Sequence, residues 1–265
     1  MNDAGLSSTV ICEVREGVAR LTLDRPDARN AISLEVARDL HHATEELAGD
    51  ESVRAVLLSG RGDTFCAGGD LKSFHEAKDM ASHIHEVTSY LHPAIENLDH
   101  LHAPIVAAVR GAAAGAGLGL ACLGDIVLAS TTARFVSAYT KIGLTPDGST
   151  SWWLPRLVGL RRALELTLTN RILNAEEACE WGIVTRVVDD EQLDKEAETI
   201  VAGLASGPTG AYVGARRLIR DSLQRENIAE HMSAEQDVLV EAAESDDARE
   251  GISAFLEKRA PRFGR

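Results

Sequence analysis

The stretch that decides the fold is residues 104–120, PIVAAVRGAAAGAGLGL. The apolar run at 105–109 has the length and composition of a buried strand, and the glycine-bearing run that follows opens an apolar helix. Backbone N–H groups at a helix start have no partner within the helix and favour negative charge. The run lacks the GxGxxG spacing of a dinucleotide site and the Lys and Ser/Thr of a phosphate-binding loop. It therefore predicts a strand-to-helix turn that presents backbone amides.

A second segment of small residues lies upstream, at 64–71, TFCAGGDL. It follows an apolar run at 53–58 that is typical of another buried strand. Local chemistry alone predicts a strand-to-helix turn, with Asp70 near the cap of the next helix. Together the two segments can each supply a backbone donor to an oxyanion hole. Such a hole binds the oxygen that gains charge when a thioester becomes an enolate.

The remaining pattern alternates between strand and helix signals as far as about residue 190. Residues 10–14, 18–23 and 126–129 read as strands, and Ser33 precedes apolar residues at helical spacing. From residue 192 the pattern is helical, with a break at Gly207-Pro208. We expect an α/β core of ββα units over residues 1–200 and a helical region over residues 201–265.

The bulk composition excludes several classes of protein. The chain has 265 residues, a net charge of −14 and 45% hydrophobic residues, the profile of a soluble globular protein. Its acidity argues against nucleic-acid and anionic-membrane partners, and no apolar run is long enough for a membrane span. The four cysteines form no CxxC pair, which argues against a zinc site or a disulfide framework. With no secretory signal or transit segment recognised, we expect a cytoplasmic protein.

Six motifs, in order, resemble the crotonase, or enoyl-CoA hydratase/isomerase, superfamily and cover nearly the whole chain. The resemblance implies a crotonase-like spiral of ββα units and C-terminal helices that build a homotrimer, often a dimer of trimers. It implies no metal and no cofactor, because CoA is part of the substrate. The motifs are LDRP with NA at 23–31, FCAGGDL at 65–71, PIVAAVRG through DI at 104–126, IGLTPDG at 142–148, LTNR through WGIV at 168–184, and EGISAFLEKR at 250–259.

The resemblance also implies the residues of an acyl-CoA site. The oxyanion donors would be the backbone N–H groups of Ala67 and Ala116, although the family usually has glycine at the second position. Phe255 and Lys258 would reach the CoA of a neighbouring subunit, where Lys258 supplies local positive charge. The adenine and pantetheine arm would run past Arg25, Ala28, Cys66, Ala67, Gly69, Asp70 and Leu71.

The acid/base residues depart from the pattern of the hydratases, which use two glutamates. At those two positions this sequence has Gly119 and Tyr139. Asp147 is the carboxylate that remains in the expected region, and single-acid subgroups use an acid at or near this position. Alternatively, Pro-Asp-Gly is a natural turn, and Asp147 could cap a helix that begins near Ser149. Tyr139 could donate a hydrogen bond to substrate or fill the acyl pocket.

One single-acid subgroup, the aryl-CoA dehalogenases, pairs its aspartate with a histidine on the preceding helix. Our alignment puts Glu96 at that place, which argues against dehalogenation. Glu96 then lies either on a solvated helix face or as a second carboxylate in the pocket. Trp152 and Trp153 are expected in the core, with an acyl-pocket wall as the alternative. Five histidines match no metal motif, and we expect surface or lid positions for His83, His85, His92, His100 and His102.

The sequence thus favours an enoyl-CoA isomerase or related lyase in which Asp147 shuttles a proton beside the oxyanion hole. Three alternatives remain open. They are an enoyl-CoA hydratase with a displaced acid, an aryl-CoA dehalogenase, and a catalytically idle acyl-CoA-binding protein on the same fold.

Overall fold

A computed structural model describes residues 8–264 of the chain. The expectation that no secretory signal is present rests mainly on the first eight residues, and all but the last of these lie outside the described residues. Within the described part, no helix combines the length and apolar character needed to cross a membrane.

The strands of the described residues form two sheets. The larger has the order β1-β2-β3-β4-β6-β9, and only its first pair is antiparallel. The smaller has the order β5-β7-β8. In chain order from β1 to β9, the strands are Val10–Arg15, Val18–Leu23, Ala55–Gly60, Ile105–Val109, Ala112–Ala114, Ile126–Ser130, Arg134–Val136, Leu173–Asn174 and Arg186–Val188.

Helices connect these strands and then follow one another to the C-terminus. In chain order from α1 to α11, the α-helices of the described part are Leu34–Gly49, Leu71–Glu76, Met80–Asp99, Ala116–Leu123, Thr150–Val158, Leu160–Thr169, Ala175–Glu180, Leu193–Ala205, Thr209–Ser222, Ile228–Ala243 and Asp246–Glu257.

The central strands of the main sheet, β3, β4 and β6, are buried on both faces, as their near-continuous apolar sequences predict. Alternate residues of β3 point to opposite sides: Val56 and Leu58 join the larger core with α1, α3 and α4, while Leu57 joins a second core under α8. Helix α4 is apolar all round, and each of its eight residues is buried. The second glycine-bearing segment is therefore fixed at the centre of the molecule.

The predicted strands and caps are confirmed, with boundaries shifted by at most two residues. Ser33 accepts the Val36 N–H at the start of α1, and Asp70 accepts two amides at the start of α2. The four short strands β5, β7, β8 and β9 were not predicted, because two or three residues are too few to show alternation. The proposed boundary at residue 200 falls inside α8, whose Val201 is fully buried in the second core.

The helices after Gly207-Pro208 lie outside the core. Helices α9 and α10 contain no buried residue, and α11 contains only Ala254. Two arginines of α9 fasten this region to the core: Arg216 and Arg220 both bind the carboxylate of Asp125. Large apolar side chains on α9 to α11 remain exposed, namely Ile219, Ile228, Met232, Leu239, Val240, Ile252, Phe255 and Leu256.

Candidate active site

The two small-residue segments are in direct contact, which an oxyanion hole built from both of them requires. Cys66 donates its N–H to the Ala112 carbonyl at 2.9 Å and accepts from the Ala114 N–H at 3.0 Å. Gly117 packs so closely on this bridge that a Cβ atom on it would lie 2.4 Å from the Cys66 carbonyl oxygen. Only glycine permits that approach. The segments are therefore held as one unit, with little freedom for the amides they present.

The amide of Ala116 is available as an oxyanion donor. Ala116 is the first residue of α4 and follows Gly115, which has φ +53° and provides no side-chain cap. In the described part of the chain its N–H has no acceptor. The start of α4 thus supplies an unpaired donor and the positive end of the helix dipole.

The available amide of the other segment is not the one expected from sequence. Ala67 donates its N–H to the Arg29 carbonyl at 3.1 Å, so that amide is already used. The N–H of Gly69, two residues later, has no acceptor among residues 8–264. Gly69 replaces Ala67 as the candidate donor, because the loop that contains Arg29 packs along this segment.

Asp147 pairs with His92. His92 Nε2 lies 2.7 Å from the Asp147 carboxylate, and an ionised carboxylate can only accept, so the imidazole N–H donates. His92 is on α3 immediately before Pro93, which cannot donate to the Ser89 carbonyl and so interrupts the helix hydrogen bonding there. His92, for which a surface or lid position was expected, is exposed and is also the partner of the candidate catalytic acid.

The place assigned to Glu96 is therefore corrected to His92, one helical turn earlier. Residues four apart project from the same face of a helix, so spacing alone does not separate the two. Glu96 is exposed on the rim of a cavity of about 340 Å³ that also contacts His92, Asp147, Trp152 and Trp153. Trp153 is buried as expected, but Trp152 is 45% exposed and lies against Arg156.

The capping alternative for Asp147 is not observed. Helix α5 begins at Thr150 after Ser149, and in the described structure no helix amide donates to the Asp147 carboxylate. Its backbone carbonyl accepts the Thr150 N–H at 3.1 Å and the Tyr139 hydroxyl at 2.9 Å. The main chain of Asp147 thus forms the turn, while its half-buried side chain bonds to His92 and not to the helix.

The residues predicted to contact CoA within one subunit form one group, with one exception. Arg25 pairs with Asp70 at 2.6 Å, and Ile32 bonds to Gly68 and Asp70, which joins the loop carrying Ala28 to the segment with Gly69 and Leu71. Burial opposes ionisation of Asp70, but hydrogen bonds from Arg25 and Ser73 outweigh it and lower its pKa. Cys66 is the exception, because it is fully buried and cannot contact CoA.

Arg29 is an exposed cation near the predicted CoA-contact residues that was not predicted from sequence. Its backbone carbonyl accepts the Ala67 N–H, and its exposed side chain has no hydrogen-bond or ion-pair partner in the described residues. The charge of Arg25 is already balanced by Asp70, so Arg29 is the unbalanced cation of this loop. Its position three residues after Pro26, the end of the LDRP motif, is the only sequence signal that points to it.

Phe255 and Lys258 lie at the end of α11. Phe255 is 83% exposed and Lys258, the residue that ends the helix, is also exposed, so neither is packed on the oxyanion segments of its own chain. Their predicted contribution to a neighbouring subunit stays a prediction. No group of three or more metal-ligating side chains occurs within residues 8–264.

The fold and the joined amide segments define a crotonase-type α/β enzyme with a carboxylate–histidine pair next to its candidate oxyanion hole. The chain belongs to the enoyl-CoA hydratase/isomerase family, whose family model matches residues 13–265. This confirms the resemblance drawn from the six motifs.

Particular relatives differ in the reactions that their names state. The chain is similar to 1,2-epoxyphenylacetyl-CoA isomerase of Escherichia coli K12, with 38% identity covering 96% of this chain and 97% of the relative. It is also similar to 4-chlorobenzoyl coenzyme A dehalogenase-2 of an Arthrobacter species, with 38% identity covering 74% and 72% of the two chains. Among solved structures, an enoyl-CoA hydratase of Mycobacterium smegmatis has a TM-score of 0.88 at 32% identity, covering 96% of this chain and 98% of the other.

Proposed function

We propose that the protein isomerises enoyl-CoA thioesters with Asp147 as its single proton-transfer residue. The observation that carries this proposal is the packing of the Asp147 loop on the second oxyanion segment. A Cβ atom on Gly148 would lie 2.9 Å from the Cβ of Ala116. The group that takes a proton and an amide that stabilises the resulting charge therefore belong to one small, rigid site.

The proposed reaction uses only groups of this site. The N–H groups of Gly69 and Ala116 donate to the thioester oxygen of a 3-enoyl-CoA, while Asp147 removes a proton from C2. The electron pair delocalises over the thioester oxygen and carbons 2 to 4. Asp147 then returns the proton to C4, and the double bond moves to C2–C3. The reaction is balanced without any other reactant.

Hydration is disfavoured by the packing around residue 119. Adding water needs a group that activates the water and one that protonates the α-carbon. The position that carries one of these in hydratases is Gly119, and a Cβ atom there would lie 1.9 Å from the Gly148 carbonyl oxygen. The Asp147 loop thus fills the space of that glutamate. The similarity to an epoxyphenylacetyl-CoA isomerase over nearly the whole chain also supports isomerase chemistry.

A second candidate is hydrolytic dehalogenation of an aryl-CoA, and the His92–Asp147 pair specifically favours it. The Asp147 carboxylate would attack the ring carbon that bears the halogen, and the halide would leave to give an aryl ester. A water deprotonated by His92 would then cleave the ester at the Asp147 carbonyl carbon, releasing the hydroxyaryl thioester. His92 is 57% exposed on an open cavity, so water reaches it. The similarity to a chlorobenzoyl-CoA dehalogenase supports this candidate.

Four substrates separate the candidate functions. We expect purified protein to generate the absorbance of a conjugated thioester from a 3-enoyl-CoA and to leave a 2-enoyl-CoA unchanged. Loss of the 2-enoyl absorbance would mean hydration. Chloride release from 4-chlorobenzoyl-CoA would establish the second candidate. If the protein binds thioesters but turns over none of these substrates, nor 1,2-epoxyphenylacetyl-CoA, the result would support a catalytically idle acyl-CoA-binding protein.

Replacing His92 with glutamine distinguishes the two leading candidates. An isomerase needs His92 only to hold Asp147, and a glutamine amide can still donate to the carboxylate. Isomerisation should therefore fall by no more than about tenfold, the effect of one hydrogen bond. A dehalogenase would lose the base for ester hydrolysis, so the variant would accumulate an aryl ester on Asp147. Intact-protein mass spectrometry after mixing with 4-chlorobenzoyl-CoA would detect that added mass.

Replacing Arg29 with glutamine should weaken binding of acyl-CoA by about fivefold. The substitution removes a charge-assisted contact to a CoA phosphate. Such a contact contributes about 1 kcal/mol of binding free energy, which corresponds to a fivefold change in Kd. Calorimetric titration with acyl-CoA should show the loss, whereas the matching acyl-pantetheine, which lacks the nucleotide, should bind both proteins equally. Arg61→Gln is the control, because Arg61 is paired with Asp24. An equal loss for both ligands would contradict a phosphate contact.

We also propose that the exposed apolar surface of α9 to α11 is covered in a homotrimer. The apolar side chains that the fold leaves exposed on these helices support self-association. Light scattering of the purified protein measures its molar mass in solution, which tests whether it is a trimer.

A further inference from the structure

The two positions that hold the catalytic glutamates of hydratases both contact the Asp147 loop here. Tyr139 donates its hydroxyl hydrogen to the Asp147 carbonyl oxygen at 2.9 Å. Gly119 lies under the next peptide, where a Cβ atom would be 1.9 Å from the Gly148 carbonyl oxygen and 2.9 Å from Thr150 Oγ1. Both residues therefore act on neighbouring carbonyls of one loop: Tyr139 bonds to that of Asp147, and Gly119 leaves room for that of Gly148.

We infer that Tyr139 and Gly119 are positioning residues that hold the Asp147 carboxylate at the oxyanion hole. The inference rests on the proposed role of Asp147 in proton transfer. Tyr139 sits between the two parts that must be aligned: a Cβ atom on Gly115 would lie 3.7 Å from its ring, and its hydroxyl binds the Asp147 loop. A single side chain thus links the start of the oxyanion helix to the residue that moves the proton.

The loop needs such support because its backbone is strained. Gly148 and Ser149 both have left-handed φ values, +59° and +62°, and this conformation is unfavourable for the non-glycine residue. The Ser149 hydroxyl is buried and has no hydrogen-bond partner among the described residues. A conformation of this kind persists only where surrounding contacts fix it.

The Tyr139 hydroxyl is suited to be a permanent donor. Burial raises its pKa well above the ordinary value for tyrosine, with the charge of Asp147 adding to the effect, so the hydroxyl stays protonated. The Asp147 carbonyl also accepts the Thr150 N–H at 3.1 Å, and Thr150 in turn binds the Gly115 carbonyl through its side chain. Tyr139 and Thr150 thus both donate to the Asp147 carbonyl oxygen.

Replacing Tyr139 with phenylalanine tests the inference. We expect kcat for the 3-enoyl-CoA to fall about 3- to 10-fold, the loss typical of one neutral hydrogen bond, with KM and thioester Kd within about twofold. Tyr90→Phe is the matched control. Tyr90 packs against His41 and Arg38, and its hydroxyl has no hydrogen bond in the described part, so kcat should not change.

Gly119→Ala provides a second variant that acts from the other side of the loop. The added methyl group collides with the Gly148 carbonyl, so the loop must shift. We expect a fall in kcat at least as large as that of Tyr139→Phe, again with thioester Kd held. The melting temperatures of both variants show whether a loss of kcat comes from unfolding. If Gly119→Ala does not fold, a folded Tyr139→Phe is sufficient to test the inference.

Two results would overturn the inference. A rise in KM at constant kcat for Tyr139→Phe would mean that the hydroxyl contacts substrate. Wild-type kinetics of Tyr139→Phe beside an inactive Asp147→Asn would mean that the hydrogen bond does not position the carboxylate. An active Asp147→Asn would instead overturn the proposed function, so the two failures are distinguishable.

Discussion

Replacing Asp147 with asparagine should lower kcat about 10²- to 10⁴-fold, the contribution typical of a positioned general acid/base. Asparagine has the same shape and its carbonyl oxygen can still accept the His92 N–H, so the loop keeps its anchor. The side chain no longer takes or returns a proton. Because no binding group is removed, Kd for a CoA thioester should stay within a few fold. Initial rates with a 3-enoyl-CoA and calorimetric titration measure the two quantities.

Glu96→Gln is the matched control for that experiment. Glu96 lines the same cavity one turn from His92 but has no contact with the Asp147 loop among the hydrogen bonds of the described residues. Its neutralisation should leave kcat unchanged. Retained activity of Asp147→Asn together with loss in Glu96→Gln would assign proton transfer to Glu96 and remove the basis for the proposed function.

Replacing Ala116 with proline should lower kcat about 10²- to 10³-fold, or about 3–4 kcal/mol of barrier. Proline deletes the backbone N–H that donates to the thioester oxygen. The helix tolerates it, because the first helical position has no internal hydrogen bond to lose and proline is favoured there. The preceding residue, Gly115, has φ +53° and ψ −124°, an extended conformation of opposite hand that glycine adopts readily.

Ala116→Gly is the control for the amide deletion. It removes a methyl group but keeps the N–H, and glycine is the usual residue at this position in the family, so kcat should stay within a few fold of wild type. The carbonyl stretching frequency of a bound thioester gives a second measurement. It should shift towards the solution value in Ala116→Pro and not in Ala116→Gly. Full activity of Ala116→Pro would mean that this amide does not stabilise the enolate.

The family, the core strands and the two amide segments could be predicted from sequence because each depends on local signals. These signals each extend over only a few residues of the chain. They are apolar runs of strand length, glycines where two backbones approach closely, and the helix caps Ser33 and Asp70. Asp147 could be found in the same way, because the loop motif that carries it is contiguous. The sequence also shows directly that the two hydratase glutamates are absent, because residues 119 and 139 are glycine and tyrosine.

The partners of these residues could not be predicted from sequence. Ala67 and Gly69 both offer an amide, and which one is free depends on the loop whose Arg29 carbonyl occupies the first. His92 and Glu96 lie on one face of α3, and only the packing of that helix beside the Asp147 loop selects the histidine. Tyr139 likewise gave no local sign that its hydroxyl binds the Asp147 main chain.

The sequence by itself determined the fold, the family and the chemical types present in the site. The tertiary structure decided which amide is free, which side chain meets the carboxylate and what holds its loop. The physical reason is that strand, turn and cap signals act over a few residues along the chain. The hydrogen bond between Ala67 and Arg29 joins residues 38 positions apart, and the one between His92 and Asp147 joins residues 55 positions apart. Such contacts are set by how whole elements pack.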